Sequence, residues 1–256
     1  MIASLKALGR KPLPAEIEVG GERYVHRRLF KNDFFAATAL YEAEGHKVVL
    51  KVQRRASFLG FPLSWVGRIL AAKERAALTR LEGVPGVPRL LGTWERTGLV
   101  REYIEGETLR DAPRVADDFH PRLRELIGEV HRRGMAYVDL EKPDNVLVGA
   151  DGRPYLFDFQ ISWYWPRSWG GELWPARFIR SRLQSGDRYH LVKLQRRTRP
   201  DQLSPEALAA SYRKPWFVRA YTRVTRPLTW IRRRVLRRLE PDRPRGERGR
   251  VSPVTE

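Results

Sequence analysis

The sequence predicts an α+β protein, with a small antiparallel sheet in its N-terminal part and a mainly helical C-terminal part. Three observations predict this. Residues 22–52 fall into the strand-like runs RYVHRRLF, FFAATALYEAEG and HKVVLKVQ, with a turn at EAEG, as in an antiparallel meander. LSWVGRILAAKERAALTRLEG follows with apolar residues at helical spacing and a stop at Gly83. In the second half, PRLRELIGEVHRRGM places Leu123, Leu126, Ile127 and Val130 on one helical face, and basic helical stretches continue to about residue 239.

In chain order, residues 1–21 read as a short, Pro-interrupted lead-in. VPGVPRLLGTWERTGLVREYIEG, after the first helix, returns to strand character with two turns. YVDLEKPDNVLVGADGRPYLFDF combines a turn, a strand, a Gly-containing turn and a second strand. An aromatic stretch comes next, ISWYWPRSWGGELWPARF, with Trp163, Trp165, Trp169 and Trp174. Residues 240–256 are polar and rich in Pro and Gly, the composition of a disordered tail. No internal repeat is visible.

With 256 residues the chain is long enough for one two-part enzyme with ample core. It has no cysteine, which excludes disulfides and thiolate metal sites. The N-terminus has no long apolar run before a small-residue cleavage site, and no stretch is apolar for the length of a membrane span. The expected location is therefore the cytoplasm. The formal charge of +19 implies contact with something anionic, and residues 213–250 hold 14 Lys/Arg against 3 acids.

Phosphoryl transfer asks for a cation on the nucleotide phosphates, oxygen ligands for magnesium and a base at the acceptor hydroxyl. Lys51 lies in the apolar strand VVLKV, where a lysine is costly unless paired or bound to phosphate. Glu74, on the helix that follows, is placed to hold it. Asp139 opens the loop DLEKPDN, Lys142 sits inside it, Asn145 closes it, and Asp158 begins DFQ after the strand PYLF.

These motifs resemble the protein-kinase-like superfamily over roughly residues 22–162. VVLKV resembles its lysine strand, KERAALTRLEGVPGVPRLL its glutamate-bearing helix and the strand after it, and LVREYIEGETL its hinge. DLEKPDNVLV and LFDFQ resemble the catalytic loop and the metal-binding aspartate motif, and the 13-residue step from Asn145 to Asp158 agrees with the usual spacing. The resemblance implies the protein-kinase-like two-lobed fold. Residues 22–105 would form the small antiparallel-sheet N-lobe with the phosphate lysine. Residues 106–239 would form the mainly helical C-lobe with the catalytic loop and basic helices.

The resemblance also implies ATP and Mg2+ as cofactors and assigns roles. Asp139 would orient or deprotonate the acceptor hydroxyl, and Lys142 would neutralise the transferred group. Asn145 and Asp158 would hold magnesium, and Lys51 would pair with the phosphates and with Glu74. Backbone groups of Glu102 to Ile104 would meet adenine. The acceptor would be a hydroxyl, on protein Ser/Thr or on a membrane-associated glycolipid sugar.

Departures from the family pattern narrow the reading. The catalytic loop has one residue more than usual, Tyr137-Val138 replaces His-Arg, and Gln160 stands where Gly is usual. The nucleotide-covering loop, FKNDFFAAT, has lost its glycines. Such departures are tolerable in reduced bacterial members resembling the lipopolysaccharide-core (Kdo) kinases or the RIO-type kinases. They also motivate an alternative, a catalytically weak pseudokinase serving as a nucleotide-binding or membrane-associated scaffold.

The remaining features admit structural readings. His26, His46, His120, His131 and His190 lack metal-ligand spacing and read as structural or surface residues. The tryptophans are either core packing or an interfacial surface. PLTWIRRRVLRRLEP, with Leu228, Ile231, Val235 and Leu239 flanked by arginines, suits either an anionic membrane surface or a solvated basic face. A peripheral position on the inner face of the cytoplasmic membrane follows from the first choice. No nucleic-acid motif is present, so nucleic acid is not an expected partner.

Overall fold

The computed structural model describes residues 5–58, 60–112, 114–166 and 170–213. The predicted basic helix of residues 227–239, the tail and Trp169 lie outside the described residues. The described chain separates into two compact units, residues 5–75 with 89–103, and residues 76–88 with 104–213.

The first unit is built on six antiparallel strands in the order β1-β2-β3-β4-β6-β5. They are β1 (Glu16–Val19), β2 (Glu22–Asn32), β3 (Ala36–Ala43), β4 (His46–Gln53), β5 (Leu90–Trp94) and β6 (Gly98–Glu102). β1 falls inside the stretch expected to be a lead-in. It pairs Val19 with Glu22 across a two-residue turn, and Gly20 and Gly21 both have the positive φ that such a turn requires (63° and 83°). Ile17, Tyr24, Ala39, Tyr41, Val48, Leu50, Val52 and Val100 form the core on one face. β4 lies between β3 and β6, and its last six residues are buried without alternation, the mark of a strand covered on both faces. Helix α1 (Ser64–Arg80) follows.

The second unit carries β7 (Gly106–Thr108), α2 (Phe119–Arg132), β8 (Val146–Gly149), β9 (Pro154–Leu156), α3 (Trp174–Thr198) and the short α4 (Pro205–Ser211). β7, too short to show a period, forms an antiparallel sheet with β8 and β9. α2 buries Phe119, Leu123, Leu126, Ile127 and Val130, the face expected from its spacing together with Phe119. The basic stretch after the aromatic run is a single helix of 25 residues, α3. Val146 pairs with Leu156 across the β8–β9 hairpin. This register sets the residue just before β8 beside the residues just after β9, and the amide of Phe157 donates to the carbonyl of Asn145 at 3.3 Å.

Candidate active site

In the first unit, Lys51 occupies the covered part of β4, opposite Thr38 on β3 and Leu99 on β6. Only 7% of it is exposed. A lone ammonium there would carry a large desolvation cost. Its Nζ donates to Oε1 of the buried Glu74 on α1 at 2.9 Å, and Gln53 Nε2 donates to the other carboxylate oxygen at 2.8 Å. Glu74 is thus held at both oxygens, and it fixes the position of the lysine head group.

The β2–β3 loop, where glycines were missed, gains its shape from side chains. Asp33 Oδ1 accepts from the amides of Phe35 (2.8 Å) and Ala36 (3.0 Å), forming an Asx turn. Burial alone would raise the Asp33 pKa, but the neighbouring Lys31 ammonium and these amides outweigh it and lower it. Arg54, only 1% exposed, reaches from the end of β4 under this loop. Its Nη1 donates to the Phe34 carbonyl at 2.8 Å, and its guanidinium carbon lies 3.9 Å from the centre of the Phe34 ring. Gly67 of α1 packs on the same residue: a Cβ there would stand 2.0 Å from the Arg54 carbonyl oxygen. Sequence reading missed Arg54, because QRR at a strand end looks like solvated charge. Glu102 ends β6, where its amide donates to Arg89, and Ile104 follows two residues later.

In the second unit, three predicted residues meet at one oxygen. Asp139 Oδ2 accepts from Lys142 Nζ at 2.6 Å and from Asn145 Nδ2 at 2.8 Å. The same Nδ2 also reaches the Asp139 carbonyl at 3.3 Å, so the Asn145 amide group is turned with its NH2 toward Asp139 and its Oδ1 away. The extra loop residue does not separate Asp139 from Asn145. A 3-10 turn (Pro143–Asn145) takes up the slack, and Glu141 points outward to meet Lys193 of α3 at 2.7 Å. Arg110 grips Asp144 through two nitrogens and secures the far end of the loop. Burial raises the Asp139 pKa and the Asp158 carboxylate adds to this, while Lys142 and Asn145 oppose it.

The loop rests on a residue that sequence reading missed. Asp187 of α3 is almost fully buried, and its two oxygens accept from the amides of Tyr137 and Val138, each at 2.8 Å. His131 Nε2 lies 2.9 Å from the same carboxylate. Val138 sits at φ 72° and Asp158 at φ 67°, conformations costly for any residue with a Cβ and most of all for a β-branched one. Asp187 thus holds the backbone where the strain is greatest. Tyr137 donates its hydroxyl to the Phe157 carbonyl and packs edge-on against Phe159, with centroids 5.2 Å apart.

Among the aromatics, Trp163 is half-buried and bridges to Ala136, whereas Trp165 and Trp174 are exposed, Trp174 to 78%. Leu173, Phe178 and Ile179 are exposed beside Trp174 on the first turns of α3. Arg182 lies over the Phe178 ring at 4.9 Å. His120 bonds Thr198 at 2.7 Å, and burial lowers its pKa to about 4, the state of a structural histidine. No described helix is long and apolar enough to cross a membrane.

No protein-family model matches the chain. Among solved structures it is similar to the Rio2 kinase from Chaetomium thermophilum. The TM-score is 0.53 at 21% identity, over 76% of this chain and 63% of that one. It is also similar to the Rio2 kinase–ADP/Mg2+–phosphoaspartate complex from the same organism, with a TM-score of 0.52 at 20% identity over 76% and 61% of the two chains. The chain spans about three-fifths of the length of the kinases it matches. Likeness at this identity is likeness of fold, and the fold of this chain is protein-kinase-like.

Proposed function

We propose that the chain is an ATP- and Mg2+-dependent phosphotransferase that moves the γ-phosphoryl group to a hydroxyl acceptor. The observation that carries this reading is the meeting of Lys142 and Asn145 on one oxygen of Asp139, at the foot of a hairpin whose register sets Asp158 close to Asn145. Asp139 accepts the proton of the attacking hydroxyl as its oxygen bonds to phosphorus. The bond to the leaving ADP breaks, and its electron pair goes to the β-phosphate oxygen. Lys142, already beside Asp139, balances the charge on the transferred group. Lys51, steadied by Glu74, binds the nucleotide phosphates, and the main chain from Glu102 to Ile104 meets adenine.

The donor set fits magnesium. Asn145 Oδ1 and the Asp158 carboxylate are hard oxygens. Among the described residues no cluster of three or more His or acidic side chains could cage an ion, and magnesium is typically bound by few protein oxygens together with phosphates. Magnesium so held would neutralise phosphate charge. The solved Rio2 complex holds ADP and Mg2+, a precedent on this fold. Calorimetric titration tests the nucleotide half of the proposal. ATP should bind in the presence of Mg2+, and Lys51→Ala should weaken it by about a hundredfold, the scale of one lost charge-stabilising donor. Equal affinity for both proteins would refute the role of Lys51.

The raised pKa of Asp139 gives a pH dependence of defined sign. A protonated Asp139 cannot take the hydroxyl proton, so turnover should fall on acidification with an inflection above the ordinary aspartate range. Lys142→Ala removes an influence that lowers this pKa, so its inflection should move to higher pH. A pH–rate profile of the two proteins checks it, and an unmoved or lowered inflection would contradict the assignment.

The acceptor hydroxyl is carried by a protein Ser/Thr or by a membrane-associated glycolipid. The exposed Leu173, Trp174, Phe178 and Ile179, with Arg177 and Arg182 exposed among them, favour an acceptor at an anionic membrane surface. Cosedimentation with anionic vesicles should then drop in Trp174→Ser/Phe178→Ser. Unchanged cosedimentation, or none with the parent chain, would leave the protein acceptor as the reading.

A further inference from the structure

A groove of about 510 Å³ lies between α2 and α3 in the second unit, apart from the residues assigned above to transfer. Ile127, Leu191 and Val192 give it an apolar lining, and the exposed Arg124, Arg132 and Arg188 stand around it. Gly128 lies between the two α2 arginines, one helical turn from each. A Cβ at this position would meet nothing within 4 Å. Glycine weakens a helix interior, and no close neighbour here demands it. Its effect is a notch in the groove wall.

The positive charge is only partly answered from within. Arg132 pairs with Glu129 at 2.5 Å, but Glu129 also serves Arg133 at 3.0 Å. Arg124 donates to the neutral amide of Gln195 at 3.2 Å. Among the described residues no carboxylate forms an ion pair with Arg124 or Arg188.

We propose that this groove is a docking site for an acidic amphipathic helix of a partner protein. Arg124 and Arg132 are eight residues apart, roughly 12 Å along α2. A helix with carboxylates about two turns apart can meet both while a large apolar side chain between them enters the notch at Gly128. The half-buried Val192, over the buried Ile127 and Leu191, receives part of its non-polar face. His131, also lining the groove, lies 2.9 Å from Asp187, so the docked helix would sit next to the support of the Asp139 loop.

The test is fluorescence anisotropy of a labelled synthetic helix of about 20 residues, with Glu on one face and Leu on the other, titrated with the full chain at near-physiological salt. Arg188→Glu and Gly128→Leu should each weaken binding about tenfold or more. Gly128→Leu should at the same time raise Tm, since leucine is the better helix former, which separates lost docking from lost folding. A control peptide with Ser in place of Leu should bind at least about tenfold more weakly. The proposal is overturned if the Leu peptide does not bind, if either substitution leaves its affinity unchanged, or if the Ser peptide binds as tightly. It is equally overturned if phosphatidylserine vesicles, and not the peptide, are the ligand whose binding Arg188→Glu removes.

Discussion

Asp139→Asn should leave the chain folded and lower phosphoryl transfer by about 10²–10⁴-fold, the usual contribution of a positioned general base. The substitution keeps an oxygen able to accept from Lys142 and Asn145, whose bonds to Asp139 Oδ2 measure 2.6 and 2.8 Å. The loop therefore keeps its shape while the proton acceptor is gone. Single-turnover kinetics would show the loss in the transfer step, with ATP affinity little changed because Asp139 is assigned no contact to the nucleotide. Transfer at the parental rate would mean that the catalytic aspartate has been misplaced.

Asp187→Ala should act on both stability and turnover. It strips the acceptor from two main-chain amides, of which Tyr137 is fully buried, and removes the partner of His131. Uncompensated polar groups of this kind cost about 1–3 kcal/mol each, so a loss of about 3–5 kcal/mol is expected in urea denaturation. With its anchor gone, Val138 has no reason to stay at φ 72°, and Asp139 follows it out of place. Asp187→Asn, which can still accept one of the two amide bonds, should recover part of the stability and less of the activity. If Asp187→Ala were as stable and as active as the parent, the loop would be held by something else.

How much of this could be read from the sequence depended on whether a residue acts through its type or through its surroundings. Lys51 was legible because a lysine in VVLKV contradicts the strand around it, and its resolution by Glu74 follows from burial. The meeting of Asp139 with Lys142 and Asn145, next to the hairpin that leads to Asp158, was legible because short-range structure, a turn and one hairpin, sets it. Asp187 was not. It lies 48 residues beyond Asp139, in a basic helix, and what it provides is a pair of main-chain hydrogen bonds that ask nothing of the residue types receiving them. Arg54 was hidden for a related reason: its partners are a carbonyl and an aromatic face contributed by a loop that is distant in sequence. β7 was missed because Gly106–Thr108 carries no apolar residue, and β1 because EIEV sits in a Pro-interrupted stretch that reads as a lead-in. The glycine-poor β2–β3 loop looked like a defect, yet Asp33 and Arg54 supply the turn that glycines would otherwise allow.

Phosphoryl transfer by this chain can be followed with γ-labelled ATP on incubation with the chain and Mg2+. Transfer should be scored to the chain itself, to added protein and to glycolipid, with quenching at neutral pH so that acid-labile phosphate survives. The proposed transfer requires Mg2+-dependent movement of label to a hydroxyl, abolished by Asp158→Ala and strongly reduced by Lys51→Ala. It would be contradicted by a chain that binds MgATP yet moves no phosphate to any of these, or by Asp158→Ala protein that transfers as well as the parent.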